Sequence, residues 1–267
     1  MKFHQLALAA AMAAVTAGAS ANIVRGNNAD ILLVVYSPSV EKSFLFDTGL
    51  GTTTFLNAAL NGTANATFTM PALFTSSNLA TATDARWALI GFDTFGDLDP
   101  DVEMIDNKSL ITTVTNGSPF TPGNPNFTAN QLANAEPGWS EFINFNNFLA
   151  QNQPSFAAFS THLSQTNGFS LATKADNSLA YFTLGNNFGG NFQNGYVNAV
   201  GTSSKLYRFS PSDVFDITAP VLSQDLGEVS FNGQQLTIGV VPEPSTYALL
   251  AAGLALVGFV ANRRRQG

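Results

Sequence analysis

The C-terminal segment of this chain is compatible with few structures. Residues 241–267 contain a Pro-Glu-Pro motif, an apolar run at 247–261 and a terminal arginine cluster. Pro242 and Pro244 fix φ and cannot donate to a sheet or helix, so they predict an extended, exposed segment. As a helix the apolar run is about 22 Å long, short of a full membrane span. Snorkelling arginines and local bilayer thinning would close the gap, so we expect a transmembrane helix at 247–261.

Three arginines, Arg263, Arg264 and Arg265, come directly after the apolar segment and Asn262. They are expected to stop transfer and to leave this end in the cytoplasm, by the positive-inside rule. The bulk of the chain is then expected on the outer side of the membrane. A core helix of a soluble domain is the alternative, but such a helix rarely lacks a polar face and rarely ends in an arginine cluster.

This order of elements resembles the PEP-CTERM sorting signal of Gram-negative bacteria. The residues that carry the resemblance, before the helix and the arginines, are Val241, Pro242, Glu243, Pro244 and Ser245. The resemblance implies that a membrane enzyme, an exosortase, recognises Pro-Glu-Pro and removes the helix. The remaining protein would pass to the cell surface or extracellular matrix, where such proteins accompany exopolysaccharide. The apolar tail would then be an address and not a permanent anchor.

The N-terminus predicts a signal peptide at residues 1–21 and hence export through the secretory translocon. Lys2 supplies a positive n-region, and Leu6–Ala17 form an apolar h-region. Ala19 and Ala21 provide a small-residue cleavage site, with the mature chain beginning at residue 22. A retained N-terminal anchor is the alternative, but the apolar run is too short for it.

The predicted ectodomain, residues 22–240, is acidic and has no cysteine. The chain has 11 basic and 18 acidic residues. Four of the basic residues and one of the acidic residues lie in the predicted signal peptide and the C-terminal segment. The ectodomain therefore has 7 basic and 17 acidic residues, a net charge of −10. This charge argues against nucleic acid and anionic membrane surfaces as partners. Without disulfides, stability must come from core burial, to which bound metal ions could add.

The ectodomain pattern predicts a mainly β, antiparallel sandwich-like domain with a short helical insertion near 129–164. Asp30–Tyr36 is a continuous apolar run, typical of a strand buried on both faces. Asp47–Gly51 is expected to close the next strand as a glycine loop. The other predicted strands are 42–46, 66–70, 86–92, 110–114, 169–172, 179–184 and 206–209. Residues 43–50, the Trp87 strand and 110–113 are also loosely similar to a group of PEP-CTERM surface proteins without a known activity.

Asn232-Gly233 is the clearest local signal and predicts a β-hairpin between residues 228–231 and a last strand beginning at Gln235. Asn-Gly accepts the positive φ that a type I′ turn requires. This last strand ends directly at the Pro-Glu-Pro motif, so the sorting tail is predicted to be attached to the sheet.

Few residues predict chemistry. Asp97, Asp99 and Asp101 lie in an acidic loop that matches a Ca²⁺ site in ligand type, but the spacing fails the EF-hand pattern. A solvated acidic loop is the simpler interpretation. His162 is the only histidine outside the signal peptide, which leaves too few ligands for zinc. We therefore expect no catalytic residues and no cofactor beyond a possible calcium ion.

The sequence favours a non-enzymatic surface or matrix protein. A carbohydrate-binding module is one alternative, with stacking aromatic residues drawn from Trp87, Trp139, Tyr181, Tyr196 and Tyr207. A polysaccharide-modifying hydrolase is the other, and it needs two carboxylates about 5–9 Å apart in a cleft. Residues 185–196, rich in Asn, Gly and Phe, are expected to form a surface loop or, alternatively, a self-associating segment.

Overall fold

The computed structural model describes residues 29–95, 107–114, 169–174, 181–182, 197–213, 216 and 218–239. The predicted signal peptide, the helical insertion, residues 185–196 and the sorting tail lie outside these ranges. In chain order the described elements are β1 (Asp30–Ser37), β2 (Lys42–Gly51), α1 (Thr52–Leu60), β3 (Ala66–Thr69), α2 (Ala72–Ser76), β4 (Arg86–Phe95), β5 (Asn107–Val114), β6 (Phe169–Thr173), β7 (Asn198–Ala199), β8 (Thr202–Pro211), β9 (Val221–Phe231) and β10 (Gln235–Gly239).

These ten strands form one curled antiparallel sheet. Its order is β3-β10-β9-β8-β5-β4-β1-β2-β6, and β7 pairs with β4. Phe46 on β2 and Phe68 on β3 lie near opposite ends of this order, yet their ring centroids are only 5.9 Å apart. The sheet therefore curls until its ends meet across a shared core. The mainly β, sandwich-like class predicted from the sequence is confirmed, in the form of one continuous sheet.

Strand β1 lies near the centre of the sheet and is buried on both faces, as its apolar run predicted. Successive side chains of a strand point to opposite faces. Ile31, Leu33 and Val35 accordingly belong to the core enclosed by the curl. Leu32 and Val34 belong to a second core on the opposite face.

Aromatic side chains fill the enclosed core. The ring of Phe74 on α2 lies 4.7 Å from that of Phe44 on β2 and 5.7 Å from that of Phe231 on β9. Phe231 also contacts Trp87 on β4, with 6.0 Å between centroids. The indole Nε1 of Trp87 donates to the Ala199 carbonyl at 2.9 Å, which satisfies its buried polar atom. These contacts connect β2 with β9 across the curl.

The prediction that Asp47–Gly51 forms a loop is wrong, because β2 continues to Gly51. Asp47 faces Leu32 while Gly51 faces Asp30, so β2 holds two extra residues in a bulge. Side chains stabilise the bulge. Thr48 Oγ1 donates to the Ile31 carbonyl at 2.6 Å, and the Asp47 carboxylate accepts from the Gly49 N–H at 2.7 Å. Gly49 adopts the positive φ, +66°, that the bulge requires.

The β9–β10 hairpin is confirmed, but its turn is not the predicted type I′. The central residues are Gly233 and Gln234, since the Asn232 N–H donates to the Gln235 carbonyl. Only Gly233 has a positive φ, +87°, which is the pattern of a type II′ turn. The Asn232 side chain instead accepts from the Gln234 and Gln235 N–H groups.

The helices α1 and α2 were not predicted from the sequence. Both are short and rich in Thr, Ser or Asn, which have modest helix propensity. Neither has a side-chain N-cap. Their apolar residues Phe55, Ala59 and Phe74 are buried in the enclosed core. Tertiary packing therefore accounts for both helices better than local propensity does.

Residues 181–182 are the only described part of the strand predicted at 179–184, and they are not in a strand. The Phe182 N–H donates to the Ser43 side chain at 2.9 Å. This side-chain contact, together with burial of the Phe182 ring against Tyr36, holds the segment beside the sheet.

We predict that Gly91→Ala destabilises the protein. A Cβ at residue 91 would lie 2.8 Å from Thr52 Cγ2 and 2.9 Å from Ile31 Cγ1, and overpacking of this kind costs about 1–3 kcal/mol. The measurement is the free energy of unfolding by urea. Gly239→Ala is the matched control, because the nearest atom to its Cβ lies at 3.8 Å. Equal effects of the two substitutions would contradict the close approach of α1 to β4.

Candidate functional site

The chain leaves the ectodomain at the end of β10, the last described strand. It lies inside the sheet, with Leu236 paired to Phe68 of β3 on one side and to Phe231 of β9 on the other. Leu236 and Ile238 are fully buried. At the end of the strand, Gly239 pairs with Glu228. The end of β10 is therefore fixed by its ladders and by the core.

A short polar loop, residues 61–65, lies beside the end of β10. The Asn65 side-chain oxygen lies 3.9 Å from the position of a Cβ on Gly239. Backbone hydrogen bonds from Gly62 to Ala59 and from Thr63 to Ala58 attach the loop to the end of α1. Gly62 takes the positive φ, +68°, that this helix end requires.

Asp47 is a buried acid whose pKa is strongly shifted. Its side chain is buried beneath the bulge of β2. Burial first, and then the nearby Asp30 carboxylate, raise the pKa of the Asp47 carboxyl to about 7 against the opposing effect of the hydrogen bond from Gly49. A pKa near neutrality beside a second carboxylate is also typical of catalytic acids. Here, however, the carboxylate is buried and holds the backbone of the bulge, so we interpret it as structural.

A second polar cluster joins the β1–β2 turn to the segment preceding β4. The Asp84 carboxylate accepts from the Ser37 hydroxyl at 2.5 Å, from the Ser39 hydroxyl at 2.7 Å and from the Ser39 N–H at 2.8 Å. These bonds, that of Ser37 first, lower the pKa of Asp84. Neither His4 nor His162 lies in the described ranges, so the serines have no described base. The hydrogen bonds of this cluster fix the β1–β2 turn to the segment preceding β4.

Three of the five proposed sugar-stacking residues are described. Trp87 and Tyr181 are buried, and Tyr207 is partly buried against the second core. Trp139 and Tyr196 lie outside the described residues. The three described rings therefore do not form an exposed aromatic row. Within the described ranges, no group of three or more His, Cys, Asp or Glu residues is placed to hold a metal ion.

The site residues predicted from the sequence all lie outside the described ranges. They are the cleavage-site residues Ala19 and Ala21, the acidic residues Asp97, Asp99 and Asp101, the motif residues Val241, Pro242, Glu243, Pro244 and Ser245, and the arginines Arg263, Arg264 and Arg265. These assignments stay predictions of the sequence. Asp84 and the loop at 61–65 were missed at the level of sequence. The sequence Asp47-Thr48-Gly49 was the one local pattern that could have indicated the bulge in β2.

Comparison with known families identifies the segment after β10. A family model described as the PEP-CTERM protein-sorting motif matches residues 240–265. The chain carries a PEP-CTERM sorting motif. Its match begins one residue after Gly239, the last residue of β10. The resemblance seen in the sequence is confirmed for this segment. The motif supports an exported protein that is sorted by an exosortase.

The PEP-CTERM match covers the tail alone. No curated protein and no solved structure matches the chain. In the part of the chain that the structure describes, no helix is long and apolar enough to cross a membrane. The curled sheet that precedes the PEP-CTERM motif must therefore be interpreted from its own residues.

We predict that Asp47→Asn stabilises the protein at neutral pH and above. An aspartate with an ordinary pKa of 3.8 has released its proton in the unfolded chain, whereas folded Asp47 keeps its proton up to about pH 7. The favourable contribution of Asp47 is therefore complete below pH 4 and is lost as pH rises to about 7. The loss is roughly 4 kcal/mol, because the pKa differs by about three units at about 1.36 kcal/mol per unit. The measurement is the unfolding free energy of both proteins from pH 4 to 8.

Asp84→Asn is the matched control, because the pKa of Asp84 is lowered in the folded state. Its contribution is present above pH 3.8 and is lost as pH falls through the folded pKa. Between pH 4 and 8 the Asp84→Asn difference should therefore stay nearly constant, whereas the Asp47→Asn difference should change as pH rises to about 7. An Asp47→Asn difference that stays constant from pH 4 to 8 would contradict the burial of an ionisable Asp47.

Proposed function

We propose that the mature protein is a non-enzymatic surface or matrix protein that an exosortase releases from the membrane and that associates with exopolysaccharide. The observation that carries the proposal is the PEP-CTERM match at 240–265, which begins where β10 ends. A folded domain joined directly to a sorting motif is the arrangement expected of a cargo protein. The predicted signal peptide at 1–21 supports export before sorting.

The described polar residues support a structural role for the ectodomain. The Asp47 carboxylate holds the bulge of β2, and the Asp84 carboxylate holds the β1–β2 turn. Both acids are thus occupied by backbone or serine donors of the fold. A hydrolase would instead need two carboxylates facing a substrate in a cleft.

The proposed partner, exopolysaccharide, comes from the PEP-CTERM resemblance. The net charge of −10 in the ectodomain is compatible with it, because an acidic protein is poorly retained by anionic lipid or nucleic acid. With no cysteine available for cross-links, burial of apolar side chains on both faces of the sheet supplies the stability that an exported domain requires.

We predict that replacing Pro242, Glu243 and Pro244 by alanine moves the protein from the cell-surface fraction to the inner-membrane fraction. The substitution removes the motif and leaves the apolar segment 247–261 in place to hold the chain in the membrane. The measurement is immunoblotting of fractionated cells of the native host, together with the exopolysaccharide recovered from the medium.

The control is the double variant Pro122→Ala/Pro125→Ala, which removes two prolines from another part of the chain and should fractionate like wild type. A wild-type protein found only in the inner membrane would contradict release by an exosortase. A released protein that separates completely from the exopolysaccharide would contradict the proposed partner while leaving sorting intact.

A further inference from the structure

The distance between the folded sheet and the Pro-Glu-Pro motif is very short. Only Val240 and Val241 separate Gly239, the last residue of β10, from Pro242. Consecutive Cα atoms lie about 3.80 Å apart, so the Cα of Pro242 lies within about 11 Å of the Cα of Gly239. Any enzyme that grips the motif must therefore work close to the end of β10.

Detaching β10 from the sheet would lengthen the segment between the sheet and the motif, but at a large cost in free energy. The strand pairs with β3 from Gln235 to Ile238 and with β9 from Leu236 to Gly239. Peeling it from the sheet would break both ladders and expose Leu236 and Ile238, which are 0% and 1% exposed. The short distance is thus a property of the folded ectodomain.

Polar side chains lie next to this exit point. We define the exit rim as residues 61–65 together with Glu228. Gly239 lies between its two parts, because a Cβ there would meet the Glu228 carbonyl oxygen at 3.8 Å and the Asn65 side-chain oxygen at 3.9 Å. The side chains of Asn61, Thr63 and Asn65 are exposed, as is that of Glu228. Hydrogen bonds to the end of α1 hold the loop in place.

We propose that the exit rim is the surface of the ectodomain against which the processing enzyme works, so that groups on the rim determine how fast the sorting tail is removed. The inference rests on the proposed processing by an exosortase. The partner is a membrane-embedded enzyme that must bind Pro242, whose Cα lies within about 11 Å of the Cα of Gly239 beside the rim. A rim of amide, hydroxyl and carboxylate groups fits a transient, hydrated contact better than a permanent apolar interface.

The absence of cysteine from the chain allows a direct test. Thr63→Cys places one thiol on the exit rim. Thr81→Cys is the matched control: it is also an exposed threonine, and its neighbour Ala80 lies against Gly233 in the β9–β10 turn, beyond the other end of β10. Gly233 and Gly239 are roughly 20 Å apart along the extended chain. Each precursor is purified from cells lacking the processing enzyme and coupled to a polyethylene glycol maleimide of several kilodaltons.

The labelled precursors are then mixed with detergent-solubilised membranes of the native host, and loss of the C-terminal helix is followed by mass spectrometry. We expect the label at residue 63 to slow processing about tenfold or more, because chemistry requires reacting atoms about 3–3.5 Å apart. The label at residue 81 should leave the rate near that of the unlabelled protein. Inserting about twelve Gly and Ser residues between Gly239 and Val240 adds roughly 20 Å of reach and should restore processing of the protein labelled at 63.

Equal rates for the two labelled precursors would overturn the inference while leaving the proposed function intact. A labelled residue 63 that blocks processing even with the long linker would also overturn it, because the block would then not arise from proximity. Failure of the unlabelled wild-type precursor to be processed at all would instead contradict the proposed function, and the inference would fall with it. Circular dichroism of both labelled proteins distinguishes a blocked exit from an unfolded domain.

Discussion

Aromatic contacts across the enclosed core hold the sheet in its curled form. Phe74 lies between Phe44 of β2 and Phe231 of β9, and Phe231 lies against Trp87 of β4. An open, flat sheet of this length would leave these rings in water, at a cost of about 25 cal/mol for each Å² of apolar surface. Curling buries them, and it also brings Phe46 of β2 against Phe68 of β3, near the two ends of the sheet.

The curl decides where the sorting tail is attached. The edge strand β3 packs at the closure of the curl, and β10 enters between β3 and β9. The strands β10 and β3 pair although they are far apart in sequence, since Gln235 lies opposite Thr69. Long-range pairings of this kind are slow to form, because the loop-closure entropy must be overcome before the contacts are gained. The exit point beside Asn65 and Glu228 therefore depends on this long-range strand pairing.

The strands were largely predictable because β-branched and apolar runs report burial directly. β1, β4 and β5 coincide with such runs, and Asn232-Gly233 marks the last hairpin. The errors have physical causes. Asp47–Gly51 looks like a loop by composition, but Thr48 and Asp47 provide side-chain bonds that keep a bulge inside β2. The helices α1 and α2 depend on burial of Phe55 and Phe74, which no local pattern reveals.

The functional predictions also succeeded where a feature is local in sequence and failed where it depends on tertiary structure. A sorting motif acts as a linear segment with a fixed order of elements, so residues 240–265 could be recognised without a fold. The shifted pKa of Asp47 and the role of Asp84 could not, because each depends on partners that only the folded chain brings together: Asp30 for the first, Ser37 and Ser39 for the second. The exit rim is likewise a product of tertiary structure, since Asn65 and Glu228 meet only around Gly239.

A complete curled sheet should reach the cell surface without the apolar tail that delivered it. The intact mass of the protein recovered from the surface fraction of its native host tests this expectation. We predict a chain that begins near Asn22 and ends shortly after β10, without residues 247–261. A surface protein whose mass still includes Tyr247–Gly267 would contradict the release of the ectodomain.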